Sequence, residues 1–316
     1  MSNQGQSPEF FSDDNVPARE ITLEPRIVKI TARSGVDIRR TLPHRQIRTI
    51  GAWCFVDHYG PTEQREAMRV SAHPHAGLQT ISWLFSGEVE HRDSLGNIKN
   101  VVPGELNLMT SGRGIAHSEL SIDQKSPLHG VQLWTVLPES DRNMEPTFEH
   151  HRDLPIIKQG RASVRLVIGD FLGQKSLAKV FTPLLAAEID IPSRESTLLP
   201  INPDYEYGVL VVSGELTVNG SDVHLGQLHY LPAGASALTL VATDRATVLL
   251  IGGQPFREKI IMWWNFIARS HDEIVKMRDE WQSQSPGITA FADGIGGRIP
   301  APHLPNVRLS PRGNLS

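Results

Sequence analysis

Gln79-Thr80-Ile81-Ser82-Trp83-Leu84-Phe85-Ser86-Gly87-Glu88-Val89-Glu90-His91-Arg92 reads as an apolar strand, a tight Ser-Gly turn and a second strand. The same arrangement returns as Tyr207 to Val212, then Ser213-Gly214-Glu215, then Leu216 to Val218. Setting Ser86-Gly87-Glu88 over Ser213-Gly214-Glu215 aligns two hairpins. Setting Gly104-Glu105-Leu106 over Gly226-Gln227-Leu228 carries the match on through Gly112 and Gly234. A chain that repeats one β-rich unit is expected to fold as two copies of it.

Working outward, strand-length runs surround both hairpins. Ile27 to Ile38, Gly51 to His58, Leu106 to Met109 and Val131 to Leu137 lie in the first half. Arg161 to Val167, Leu184 to Ile189, Gln227 to Leu231 and Ala246 to Ile251 lie in the second. Turn signals such as Tyr59-Gly60-Pro61 and Pro232-Ala233-Gly234 separate them, so the fold class is all-β, built as antiparallel barrels or jelly rolls. With 316 residues, about twice a common domain length, each half can bury its own core. Residues 1–22 read as a flexible leader, 23–150 as the first domain and 151–282 as the second, with Pro138 to Gly160 as the bridge. An aromatic run, Lys259 to Phe266, is expected as a strand. Ser270-His271-Asp272-Glu273 is a capping box that opens a short helix to about Trp281, with Ile274, Met277 and Trp281 on its inner face. Residues 283–316 form a tail, ordered only by docking on a barrel or a partner.

Composition narrows the function classes. A net charge of −4 offers no basic stripe for a phosphate backbone, which argues against direct nucleic-acid binding. The longest apolar runs, such as Val248 to Ile251, are far too short to span a membrane. The N-terminal residues carry no signal pattern, so a cytoplasmic location is expected. Cys54 between Trp53 and Phe55 is the single cysteine, and reads as a buried structural thiol.

Chemistry concentrates in two pairs, His73-Pro74-His75 and His117-Ser118-Glu119. In a strand the i, i+2 spacing places both members of a pair on one face, so three imidazoles and a carboxylate can meet. That donor set suits iron(II), manganese, nickel, copper or zinc, and without a thiolate it argues against a closed structural zinc site. On an octahedral ion, four protein donors leave two positions for substrate and O₂. In the repeat register the four residues fall opposite Pro200, Asn202, Thr239 and Val241, so the second copy carries no ligands. His58 and His129, on neighbouring strands, are candidates for supporting or pocket groups. His44, His91, His150, His151, His224, His229, His271 and His303 read as ordinary surface or core residues.

His73-Pro-His-Ala-Gly-Leu-Gln-Thr80, Gly87-Glu-Val-Glu-His-Arg-Asp-Ser-Leu-Gly96, Pro103-Gly-Glu-Leu106 and Met109-Thr-Ser-Gly-Arg-Gly-Ile-Ala-His-Ser-Glu119 together resemble the pirins, bicupins of the cupin superfamily. The resemblance covers about Ile27 to Trp281. It implies two stacked cupin jelly-roll barrels, with iron only in the first, held by His73, His75, His117 and Glu119. Many other cupins take the carboxylate from four residues after the second histidine. Here that residue is Gln79, which leaves the role to Glu119 and lets Gln79 serve as a hydrogen-bonding support. The resemblance further implies a quercetin 2,3-dioxygenase activity on a flavonol-like aromatic substrate and O₂. Glu119 would be the catalytic proton acceptor, and Phe55, Met109 and Trp134 candidate pocket walls. A second implied role is a redox-responsive coregulator, whose iron state controls partner binding.

Overall fold

The structure, a computed structural model, describes residues 19–29, 37–62, 68–122, 126–284 and 297–313. It contains two jelly-roll barrels in tandem, each made of a seven-stranded and a four-stranded antiparallel sheet. In the first barrel the large sheet runs in the order Thr147–His151, Leu106–Thr110, Leu78–Ser86, His129–Val136, Trp53–Tyr59, Asp37–Leu42 and Arg26–Lys29. Its small sheet runs Arg69–His75, Ile115–Ser121, Val89–Asp93 and Ile98–Val101. The second barrel repeats the plan. Its large sheet is centred on Glu206–Ser213, Ala246–Gly253 and Leu184–Ile191, and its small sheet contains Ser196–Pro200 and Ala237–Ala242. The aligned turn glycines are equivalent, with φ of 84° at Gly87 and 76° at Gly214, a left-handed conformation that glycine adopts without strain.

Strand alternation assigns each face. On Leu78–Ser86, Ile81 and Trp83 point to the seam between the barrels, where they join Val56, Val131 and Leu133 of the first with Leu210, Val212, Leu249 and Ile251 of the second. Polar groups are satisfied across this seam. Trp83 donates its indole N–H to Glu188 at 2.7 Å, and Trp53 donates to the Gly252 carbonyl at 3.0 Å. The inside of the second barrel is a closed aliphatic core, including Val164, Ile189, Val209, Leu240 and Leu250.

The structure moves the repeat register by one residue near the ligand strands. In the first barrel His117 lies across from His73; in the second, Leu238 lies across from Leu199. Measured from the aligned glycines, the second copy has one residue more between Leu199 and Gly214 than the first has between His73 and Gly87, and one fewer between Gly234 and Leu238 than between Gly112 and His117; a one-residue slip exchanges the faces of a strand. The counterparts of His73, His75, His117 and Glu119 are therefore Leu199, Ile201, Leu238 and Leu240, all buried in the aliphatic core. Pro200, Thr239 and Val241 lie on the alternate faces of these strands, and Val241 is 41% exposed.

Several segments differ from the sequence reading. Ile21–Leu23, at the end of the expected leader, is a strand paired with Leu228–Leu231 of the second barrel; residues 1–18 lie outside the described residues. The expected bridge holds two edge strands, Thr147–His151 on the first large sheet and Ile156–Gln159 on the second. Charged and proline-rich composition is what unpaired edges favour. The aromatic run is a hairpin, Ile261–Trp263 with Phe266–Ala268, turning at Trp264.

The helix spans His271–Gln282, with Ser270 capping the Glu273 N–H, and buries Ile274 and Trp281 against Ala76, Ala116 and Phe266. Within the tail, Arg298 bridges Ala72 in parallel, and the Ile299 N–H donates to the Ala72 carbonyl at 2.8 Å. Cys54 is buried, and burial raises its thiol pKa. Among the described residues no helix is long and apolar enough to cross a membrane.

Candidate metal centre

Arg69–His75 and Ile115–Ser121 are antiparallel neighbours, which places His73 directly across from His117. His73, His75, His117 and Glu119 are all at most 1% exposed. One ring nitrogen from each of the three histidines lies within 4.8 Å of the other two. The rings face one another at 4.4 to 5.0 Å between centroids. His75 Nε2 and His117 Nε2 are 3.1 Å apart. Two donors at right angles around an ion, each about 2.1 Å from it, would be about 3 Å apart, so the spacing fits a shared metal.

Hydrogen bonding prepares these nitrogens. The Ser71 carbonyl can only accept, so the 2.9 Å contact from His73 Nδ1 places the proton on Nδ1 and leaves Nε2 bare. His73 Nε2 is buried without a hydrogen-bond partner among the described residues, and so is His75 Nδ1. Burial pushes His73 down to about 3, and burial with the neighbouring imidazoles holds His75 and His117 well below the usual histidine range. All three are neutral at pH 7, the state in which imidazole binds a metal. A bare Nε2 on His73 and the close Nε2 atoms of His75 and His117, all on neutral rings, fit a divalent ion.

Glu119 stands apart from the 4.8 Å histidine group. A bulge between His117 and Glu119 sets it across from Val70. Its Oε1 accepts from the Ser82 hydroxyl at 3.3 Å, and that hydroxyl also lies 3.0 Å from Gln132 Oε1. Ser82 and Gln132 carry no signal of their own in the sequence; strand alternation turns them to the barrel interior, on the face opposite Ile81, Val131 and Leu133.

The remaining candidates separate into two groups. Phe55 and Trp134 are a cross-strand pair stacked at 3.9 Å, and Trp134 meets His75 edge-on at 5.1 Å. Met109 is buried on the strand beside Thr80. Gln79 is not a support for the histidines. It shares the seam face with Ile81 and Trp83, donates to Thr110 Oγ1 and the Lys179 carbonyl, each at 2.9 Å, and accepts from Thr135. His58 and His129 bond to each other, Nε2 to Nε2 at 2.8 Å, and neither joins the triad. His58 follows Asp57, so its side chain leaves the opposite face of the strand. Conversely, His91, an ordinary residue by its sequence, reaches His117 at 3.3 Å. The cue is its i, i+2 pairing with Asp93 on a strand next to the ligand strand.

Comparison with known proteins agrees with this architecture. Residues 35–135 match the pirin family and residues 186–286 the pirin C-terminal cupin domain. A Pseudomonas aeruginosa protein named, provisionally, a quercetin 2,3-dioxygenase is 38% identical over 312 residues, covering 96% of this chain and 98% of that one. The crystal structure of a quercetin 2,3-dioxygenase from Acinetobacter baumannii superposes with a TM-score of 0.87 at 36% identity, covering 94% and 98% of the two chains. YhhW, a bacterial pirin from Escherichia coli solved in complex with nickel(II), shares the fold at a TM-score of 0.61 and 22% identity, covering 75% of this chain and 99% of its own. With two barrels in the expected order and both domains matched, the chain belongs to the pirin family.

Proposed function

We propose that the chain is a metal-dependent dioxygenase of the quercetin 2,3-dioxygenase type, with iron(II) held by His73, His75, His117 and Glu119. The observation that carries this reading is the group of three neutral, buried imidazoles whose donor nitrogens lie within 4.8 Å, beside a buried carboxylate. The names of the Pseudomonas and Acinetobacter relatives supply the substrate class, and the nickel complex of YhhW supports a divalent ion in this fold.

The ion would supply open positions where substrate oxygen and O₂ meet, together with the one-electron chemistry between them. The chain supplies the rest. Glu119 accepts the proton of the flavonol 3-hydroxyl, so the substrate reacts as its anion, while Ser82 holds the carboxylate in place through Oε1. Trp134, backed by Phe55 and meeting His75 edge-on, is the apolar surface that an aromatic substrate would meet beside the histidines. Trp134 Nε1 and Gln132 Nε2 are buried N–H groups without partners among the described residues, available to substrate oxygens.

The test is incubation of iron(II)-loaded protein with quercetin, with and without air, following flavonol absorbance and carbon monoxide. Oxygen-dependent loss of absorbance with carbon monoxide release is the expected result. Turnover no faster than with the same concentration of free iron would overturn the assignment. In the same assay Glu119→Gln should keep most of its metal and lower kcat by roughly 10²- to 10⁴-fold, the range lost with a general base. Metal content per chain, measured alongside, separates lost proton transfer from lost ion.

A further inference from the structure

We propose that Asp93 and His91 are positioning residues for His117: they set its tautomer and make it the most electron-rich of the three imidazole ligands. The inference rests on the metal reading above and concerns groups that do not themselves reach the ion.

The geometry is a chain of hydrogen bonds along adjacent strands. In the pairing of Val89–Asp93 with Ile115–Ser121, His91 lies across from Glu119 and Asp93 across from His117. His91 Nε2 is 3.2 Å from Asp93 Oδ2, and His91 Nδ1 is 3.3 Å from His117 Nδ1. A carboxylate only accepts, so the His91 proton sits on Nε2 and its Nδ1 is bare. Bare Nδ1 accepts from His117, which puts the His117 proton on Nδ1 and turns a lone pair on Nε2 toward His75. With the opposite tautomer at His91, His117 would carry its proton on Nε2 and could not bind an ion there. One carboxylate thus determines the state of a nitrogen two rings away.

Asp93 is built to stay in place. Its Oδ1 accepts the backbone N–H groups of Leu95 at 2.9 Å and Asn97 at 3.0 Å, and the Asn97 side-chain amide donates to both oxygens. His91 is held from the side by Phe148, stacked at 4.5 Å and nearly parallel. Both residues are at most 3% exposed.

The three histidines are therefore supported unequally. His73 donates to a neutral carbonyl, the Nδ1 of His75 has no partner among the described residues, and only His117 donates into a line that ends on a charge. A negative charge behind a ligand raises its basicity and favours the higher oxidation state of an ion in front of it.

His91→Leu, His91→Gln and Asp93→Asn would be compared with the parent by chelator competition for iron(II) and by the Fe(III)/Fe(II) potential of the loaded protein. Thermal melts and near-ultraviolet circular dichroism would report folding. His91→Leu should bind iron(II) about 10- to 100-fold more weakly, as expected for loss of a group behind a metal ligand. Its potential should rise. A glutamine side-chain oxygen can accept from His117, so His91→Gln should recover most of the affinity. Asp93→Asn keeps the acceptor but not the charge, and should raise the potential with a smaller loss of affinity. A folded His91→Leu with parental affinity and potential would overturn the proposal. A parent chain that takes up no metal would instead overturn the metal reading beneath it.

Discussion

His75→Ala will fold as the parent does and will be purified almost free of metal. Removing one of three imidazoles from an ion whose total binding energy is on the order of 10 kcal/mol costs roughly a thousandfold in affinity. Fold stability responds differently, because His75 is a liability in the metal-free barrel. Its Nδ1 is buried without a partner among the described residues and its Nε2 meets only His117. Alanine loses packing against Trp134 and also removes that unpaired group, two changes of opposite sign. Metal analysis of protein purified without added metal, with a urea titration of the metal-free form, reads the two quantities separately. His58→Ala is the control: it removes an equally buried imidazole from the pair with His129 and should leave metal content unchanged. Parental metal content in His75→Ala would remove this residue from the site.

The metal-free protein should also lose stability steeply between pH 7 and pH 5. Burial pushes His58 and His73 down to about 3 and His129 to about 4, and holds His75 and His117 well below the usual range. A histidine depressed in the folded state contributes stability that is complete above its unfolded value, near 6.5, and is lost as the pH falls, because only the unfolded chain takes up the proton. Each such group costs on the order of 1 kcal/mol one unit below that value, so the five together cost several kcal/mol, on the order of the whole stability of a domain. Typical domains have only about 5–15 kcal/mol to lose. Urea midpoints at pH 7.5 and pH 5.5 check this, and equal midpoints would contradict it. The loaded protein should start higher and converge on the metal-free curve as protons displace the ion.

How much of this is legible in the sequence depends on how local the signal is. The i, i+2 pairs at His73 and His117 are readable because strand geometry alone puts their members on one face. The two-barrel plan is readable from turn glycines, which recur wherever the backbone must turn. The register between the copies is not, because one residue more or less between a turn glycine and the next strand leaves no mark in composition while exchanging the faces of that strand. Counting from His75 misplaces Gln79; counting within its own strand puts it with Ile81 and Trp83 on the seam. His91 looks ordinary because its meaning comes from the neighbouring strand. Pairing between strands distant in sequence decides which side chains meet, and single-strand patterns do not contain it.

The contact between the tail and Ala72 bears on the solution behaviour of the molecule. Arg69–His75 ends its four-stranded sheet, and Arg298 and Ile299 lie along it, with Trp281 of the helix donating to the Ile299 carbonyl at 2.9 Å. Those residues cover part of the outer edge of the strand that carries His73 and His75, and uncovered β edges recruit further strands. Proteolysis or truncation after the helix would thus announce itself as self-association through the histidine-bearing strand, so the tail is a guard against aggregation placed directly behind the metal centre.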